Sequence, residues 1–393
     1  MKRAALVLAT LLPMALAAQD KDPGSAANQS GTTAAVQAKV SVSADEAASA
    51  RTEMNAGLLS DPDPSAPQQP NAKPSQPTKP RGERTPKIPG SMVGYIDDAI
   101  IGSQVRIRFD AGFHDNAPDR AEFFYARYNG LNNGPGPQSV VADLNFQQLY
   151  LLAEYAPSKR FSFFAEVPVR WIQPQLTVAN VDPNLVPPFA NVNSAGLSDL
   201  AAGFKLAAVA SSNQYLTFQF QAYFPSGNAS TGLGTNHYSV EPVVLYYRRL
   251  SDRVALEAQV GDSHPIGGSS CPEPCNTIEV GAPNSQGFAG DVFFYGVGPS
   301  YVLYRGESLR IVPVIELVGW RVLGGLQTNC VPSVLDCLNQ EGASADGTNI
   351  INLKVGARTM LGAHSSFYIG YGHQLTHAVW YKEIVRAEYR YSF

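Results

Sequence analysis

The chain has 393 residues, a formal net charge of -4 and a sequence pI near 5.9, so it lacks the basic excess that a nucleic-acid partner requires. Its 18 Tyr, 18 Phe and 3 Trp all lie at or after Tyr95. The part before Tyr95 therefore cannot build a packed core.

The first residues, "MKRAALVLATLLPMALAAQD", place Lys2 and Arg3 ahead of an apolar run from Ala4 to Leu16, which ends in the small-x-small triplet Ala15-Leu16-Ala17. That pattern predicts a secretory signal peptide over residues 1–17. The apolar run is shorter than the roughly 20 residues a membrane-spanning helix needs. Residues 18–94 are rich in Ala, Ser, Gln and Pro, and nine of the chain's 29 prolines fall between 61 and 90. This composition offers too little apolar surface to offset the entropy of ordering, so it predicts a disordered periplasmic tether. Within it, "KPSQPTKPRGERTPK" sets five basic residues against one Glu. It reads as solvated linker, with contact to the cell wall as the functional alternative.

From residue 95 to 393 the sequence turns to short runs of alternating apolar and polar residues separated by turn residues, with no run of 18 apolar residues. Alternation predicts about twelve strands, at 103–113, 146–156, 161–171, 197–210, 215–224, 238–249, 254–262, 290–304, 309–321, 348–361, 366–375 and 380–393. Tight turns ("PSKR", "SSNQ", "LSDR", "YRGES", "GAHS") alternate with long links at 114–145, 172–196, 225–237, 263–289 and 322–347, followed by a short link at 376–379. Short turns at one end and longer loops at the other predict an all-β fold: a transmembrane antiparallel up-and-down β-barrel in the outer membrane. The tether and the C-terminus would then lie on the periplasmic side.

The chain closes on "AEYRYSF". Spacing of two puts Tyr389, Tyr391 and Phe393 on one strand face and Arg386, Glu388 and Arg390 on the other. In a bilayer the aromatic face meets lipid and the charged face meets the lumen. The terminal aromatic residues look like the signal that barrel assembly machinery reads. Trp171, Trp320 and Trp380, near strand ends, fit interfacial aromatic girdles.

The same alternation assigns Arg106, Arg108, Asp110, Glu154, Glu166, Arg170, Lys205, Glu241, Glu257, Arg310, Glu316, Lys354, Arg358, Arg386, Glu388 and Arg390 to the lumen. With both signs represented, the list argues against a strongly ion-selective pore; it fits a narrow polar passage or a lumen bridged by ion pairs.

Cys271 and Cys275, and Cys330 and Cys337, fall in two predicted outer loops of an oxidising compartment. Local disulfides within each pair are the first expectation and cross-pairing the second. His264 near Cys271 does not complete a recognised zinc spacing, so no metal is expected, and no motif calls for a cofactor. His373 and His377 in "GYGHQLTH" are the candidates for a lipid hydrolase at the barrel rim. No serine with an orienting partner declares itself, so the chain reads as a non-enzyme.

"AGLSDLAAGFKLAA" and the following "LTFQFQAYFPSGNASTGLGTNHYSVEPVVLYYRRLSDRVALEAQVGD" resemble the outer-membrane family named for the meta-pathway of phenol degradation. Gly196 and Asp199 match its Gly-x-x-Asp strand start, and Pro225-Ser226-Gly227 match its Pro-Thr-Gly-like turn with Ser in place of Thr. The similarity covers roughly 195–320. It implies a transporter, and with the barrel reading the expected function is passive passage of small solutes, apolar or aromatic ones included, with outer-membrane lipid, the assembly machinery and the solutes as partners. The alternative is a structural barrel with a plugged lumen and a wall-contacting tether.

Overall fold

The computed structural model describes residues 90–129, 134–138, 140–177, 193–269, 287–328 and 343–393. The expected signal peptide, the tether up to residue 89 and all four cysteines lie outside these residues.

Twelve strands form the wall: β1 (Gln104–Asp115), β2 (Val141–Ser158), β3 (Phe161–Thr177), β4 (Leu200–Ala210), β5 (Gln214–Phe224), β6 (Tyr238–Arg249), β7 (Val254–Ile266), β8 (Val292–Tyr301), β9 (Leu309–Val322), β10 (Asn349–Leu361), β11 (Ser365–Gln374) and β12 (Glu383–Ser392). Each pairs antiparallel with its sequence neighbours, and β12 returns to pair with β1 from Gln104↔Ser392 to Phe113↔Glu383. The sheet is a closed barrel with no free edge, as a lipid-exposed sheet must be. A short strand, Ser194–Leu197, adds to β3 beyond β4, and two short pieces, Leu326–Gln327 and Ala343–Ser344, pair with each other outside the wall. The connections after β2, β4, β6, β8 and β10 are tight turns; those after β1, β3, β5, β7, β9 and β11 are longer.

Period-two alternation decides which face meets lipid. On β1, Val105, Ile107 and Phe109 are 41%, 45% and 37% exposed, while Arg106 and Asp110 on the alternate face are 9% and 2% exposed. The same split places Ile315 and Leu317 outside and Glu316 inside on β9, and Tyr389 and Tyr391 outside and Glu388 and Arg390 inside on β12. A continuous apolar skin of this kind is stable only against hydrocarbon.

Two of the three tryptophans depart from the girdle expectation. Trp171 stands on the lipid side of β3. Trp320 shares the inward register of Glu316 and Val318, and its ring lies 5.3 Å from the Lys354 ammonium. Trp380 is buried among Phe123, Tyr381 and Ile384 at the loop end. The link between β11 and β12 folds inward there, so aromatic content near a strand end did not identify an interface position.

Candidate functional site in the barrel lumen

The lumen is occupied by the chain itself. The expected domain boundary at residue 95 coincides with no structural break: residues 90–101, ahead of β1, run inside the wall, and Ser91, Met92, Val93, Ile96, Asp98 and Ala99 are each less than 5% exposed. The segment starts near the turn end, reaches mid-barrel at Gly94–Ile96 and returns to β1. Its apolar side chains match apolar patches on the wall: Met92, Val93 and Ile96 pack with Val302, Val312, Val314, Val318 and Met360, and Ala99 packs with Val243, Leu245 and Phe294.

Wall side chains hold this segment mainly through its backbone. The Glu316 carboxylate accepts from the amides of Gly94 (3.1 Å), Tyr95 (2.9 Å) and Ile96 (2.9 Å), and Glu257 accepts from the amide of Met92 (2.9 Å). Arg358 donates to the carbonyls of Met92 (3.2 Å) and Val93 (2.8 Å), Arg386 to that of Gly94 (2.5 Å) and Arg390 to that of Ser91 (3.2 Å). On the opposite wall Lys205 Nζ donates to the carbonyl of Asp98 (3.0 Å) and Thr217 Oγ1 to that of Ala99 (2.6 Å). Buried backbone groups without sheet partners must find others, and here the inward charges supply them. Gly94 is the point of closest approach: a Cβ there would fall 2.1 Å from the Tyr368 ring. Tyr368 in turn donates to Glu316 (3.2 Å).

The remaining charges form a paired network. Arg386 grips Asp110 through two contacts of 2.6 Å, and Glu388 Oε1 accepts from Arg358 (2.9 Å) and Arg390 (3.1 Å). Arg390 also meets Asp98 of the lumenal segment at 2.9 Å, and Lys205 meets Glu154 at 3.3 Å. Three further inward residues lie outside this network of pairs. Arg170 reaches up to the carbonyl of Phe124 (2.8 Å), with that residue's ring 4.0 Å away. Lys354 is caged by Tyr95, Trp320 and Tyr381 and donates to the Tyr381 hydroxyl (2.6 Å). Arg310 lies at the turn end, beside Met360.

Beside the segment a cavity of about 140 Å³ remains, between Asp97 and the wall of β1 to β6 and β8. Arg106, Arg108, Glu166, Gln219, Gln221 and Glu241 line it. Sequence reasoning found the charged members but passed over the uncharged polar row on β5, where Thr217, Gln219 and Gln221 alternate with Phe218 and Phe220. That alternation was the available signal.

At the loop end, the link after β1 folds into the mouth. Ala121 and Tyr125 are buried with Leu144, Phe146, Ile172, Trp380 and Tyr381. Ala121 and Glu122 adopt positive φ of 51° and 48°, a strained conformation that their surroundings enforce. The buried Glu122 side chain accepts from the amides of Arg127 (2.9 Å) and Ser269 (2.8 Å). Asp119, also buried, accepts from the amide (3.1 Å) and hydroxyl of Thr328. Burial first, and Glu122 nearby, push the Asp119 carboxyl up to about 6, against the lowering effects of Thr328 and Arg120. The sign follows. With the folded value above the ordinary 3.8 or so, this lid is held best below about pH 4 and loses that contribution as pH rises through 6. Protection of the Thr328 amide from hydrogen exchange, corrected for intrinsic rate, is therefore expected to fall between pH 5 and pH 7. Asp119→Asn should remove that step.

Asp262, His264 and Asp291 place ligand atoms within 4.8 Å of one another at the loop end, and His264 Nδ1 meets Asp291 at 2.7 Å. Among the described residues His373 Nδ1 lies 3.5 Å from the Tyr371 hydroxyl and 3.8 Å from Glu383, with its ring stacked on that of Tyr371.

An even-stranded closed barrel with a lipid-facing skin and a charged interior defines the class: a transmembrane β-barrel of the outer-membrane type. Residues 129–261 match the family described as "Putative MetA-pathway of phenol degradation", in agreement with the resemblance carried by Gly196, Asp199 and Pro225-Ser226-Gly227. The structure joins those short motifs physically, because Asp199 accepts from the amides of Gly227 (2.9 Å) and Thr235 (2.8 Å). No curated protein matches the sequence. Among solved structures, an outer membrane channel from Pseudomonas putida F1 is similar over 75% of this chain and 96% of its own, at 15% identity and a TM-score of 0.45. The NanC porin aligns with 74% of this chain and 98% of its own, at 8% identity and a TM-score of 0.36. The β domain of the Bordetella autotransporter BrkA aligns with 74% and 100%, at 12% and 0.41.

Proposed function

We propose that the chain is a narrow outer-membrane channel for small solutes, with its bore set by residues 90–101. The observation that carries this reading is the way the lumen is filled. A packed structural core would fill it with wall side chains; here a separate segment, hydrogen-bonded through its backbone, leaves a polar cavity of about 140 Å³ at its side. The polar lining favours small polar solutes over the apolar or aromatic ones that the family resemblance implies. The tether and both ends of the wall would face the periplasm, the side of the short turns. Lipid and the permeating solutes are the partners this reading requires.

A second reading, a structural barrel with a sealed lumen, draws on the buried pairs Arg386–Asp110 and Arg358–Glu388. Liposome swelling separates the two. Vesicles carrying the refolded full chain are expected to admit urea and glycerol and to exclude a disaccharide, with a small phenol no faster than glycerol. A folded barrel that admits none of these would establish the sealed alternative.

A further inference from the structure

The charges around the lumenal cavity are engaged to unequal degrees, and the Nε atoms of both Arg106 and Arg108 are buried without a hydrogen-bond partner. Lys205 is committed to Glu154 (3.3 Å) and the carbonyl of Asp98 (3.0 Å). Arg108 lies between Asp110 (3.6 Å) and Glu166 (3.7 Å), over the Tyr150 ring at 3.6 Å. Asp97 accepts from Gln219 (2.9 Å) and Glu241 from the Tyr223 hydroxyl (3.2 Å). Arg106 lines the same cavity at 9% exposure, yet its guanidinium makes no hydrogen bond or ion pair with any described residue, and its Nε is buried without a partner. Its neighbour across the β1–β12 seam is Arg390, another cation, and Leu152 faces it from β2.

A buried guanidinium whose donors lack direct acceptors is costly even where carboxylates such as Glu166 and Glu388 lie within electrostatic reach. Its planar donors match a carboxylate in two-point contact. The cavity limits what can sit there: one water needs roughly 10–15 Å³ of such space, so 140 Å³ takes on the order of ten waters or a solute with about that many heavy atoms. Across the cavity, Glu241, Gln219 and Gln221 offer acceptors and amide donors to a hydroxyl or ammonium group. The geometry points to a solute-binding subsite in the permeation path, with Arg106 receiving the carboxylate of a small hydroxy- or amino-acid and the β5–β6 wall receiving its second polar group. This inference rests on the channel reading and adds the chemical class of solute.

The test is tracer exchange into proteoliposomes holding the full chain, comparing lactate with its uncharged, equally sized amide. The wild-type chain is expected to exchange lactate faster than lactamide. Arg106→Gln should cut the lactate-to-lactamide ratio roughly tenfold, which corresponds to about 1.4 kcal/mol. Arg106→Lys, which keeps the charge but loses the fork, should retain part of the preference. A ratio near one in the wild type, or one that Arg106→Gln leaves intact, overturns the subsite while the channel stands. Entry of neither solute through a barrel of folded electrophoretic mobility overturns the channel reading and the subsite with it. Should the Gln variant fail to fold, millimolar lactate on the wild-type channel decides: reduced single-channel current supports the subsite, and unchanged current refutes it.

Discussion

Glu316→Ala is expected to open the lumen. The carboxylate receives three consecutive amides, from Gly94, Tyr95 and Ile96, together with the Tyr368 hydroxyl, at the highest point the lumenal segment reaches. Hydrogen bonds to a charged group contribute about 1.5–3 kcal/mol each, and removing the acceptor also leaves buried donors unpaired. Losing several together exceeds thermal energy many times over, so the tip of the segment should leave its place while the wall, paired along all twelve strands, stays closed. Single-channel conductance in planar bilayers should rise several-fold, and larger sugars should enter vesicles. Glu316→Gln, which keeps one acceptor oxygen, should fall between the two. Wild-type conductance in Glu316→Ala would show that the segment does not set the bore.

The largest effect on stability is expected at the seam where the barrel closes. Asp110 on β1 and Arg386 on β12 sit directly opposite each other, joined by two contacts of 2.6 Å in a buried setting. Arg386→Met would leave Asp110 with Arg108 alone, at 3.6 Å, and would also release the carbonyl of Gly94. Breaking one side of a buried pair costs about 3–5 kcal/mol, much of it from the charge left behind. The denaturant midpoint of the refolded barrel should fall accordingly. Adding Asp110→Asn should recover part of the loss, because the double variant no longer buries an unmatched carboxylate. Equal midpoints for Arg386→Met and wild type would remove this pair from the account of seam stability.

The wall was legible in the sequence because each strand must satisfy two solvents at once. Val105-Arg106-Ile107-Arg108-Phe109 states its orientation without reference to any other part of the chain. Strand ends were less legible. β2 starts at Val141, ahead of the expected 146, because its first residues extend past the apolar band and pair with the end of β3. β12 starts at Glu383, later than the expected 380, because Trp380 and Tyr381 turn inward beneath the lid. The lumenal segment left no periodic trace, since the wall holds its peptide groups and "GSMVGYIDDAII" shows neither helix nor strand spacing. Arg106 was legible as inward-facing. That it makes no close ion pair with a described residue, while Arg108 and Lys205 do, follows from which residues surround it in space, which spacing along one strand does not encode.

Recognition of peptide groups, in preference to side chains, also divides the tolerance of the molecule to change. Glu316, Glu257, Arg358 and Arg386 read amides and carbonyls that every non-proline residue carries, so the inserted segment is free to vary in most side chains without losing its anchors. Gly94, pressed on Tyr368, and Asp98, paired with Arg390, are where that freedom stops, and the apolar patches of the wall favour apolar residues at 92, 93 and 96. The receptor positions on the wall have no such latitude. A graft of a different dozen residues at positions 90–101, with glycine kept at 94 and aspartate at 98, would reshape the bore without redesigning the barrel, leaving the wall as a fixed socket for interchangeable inserts.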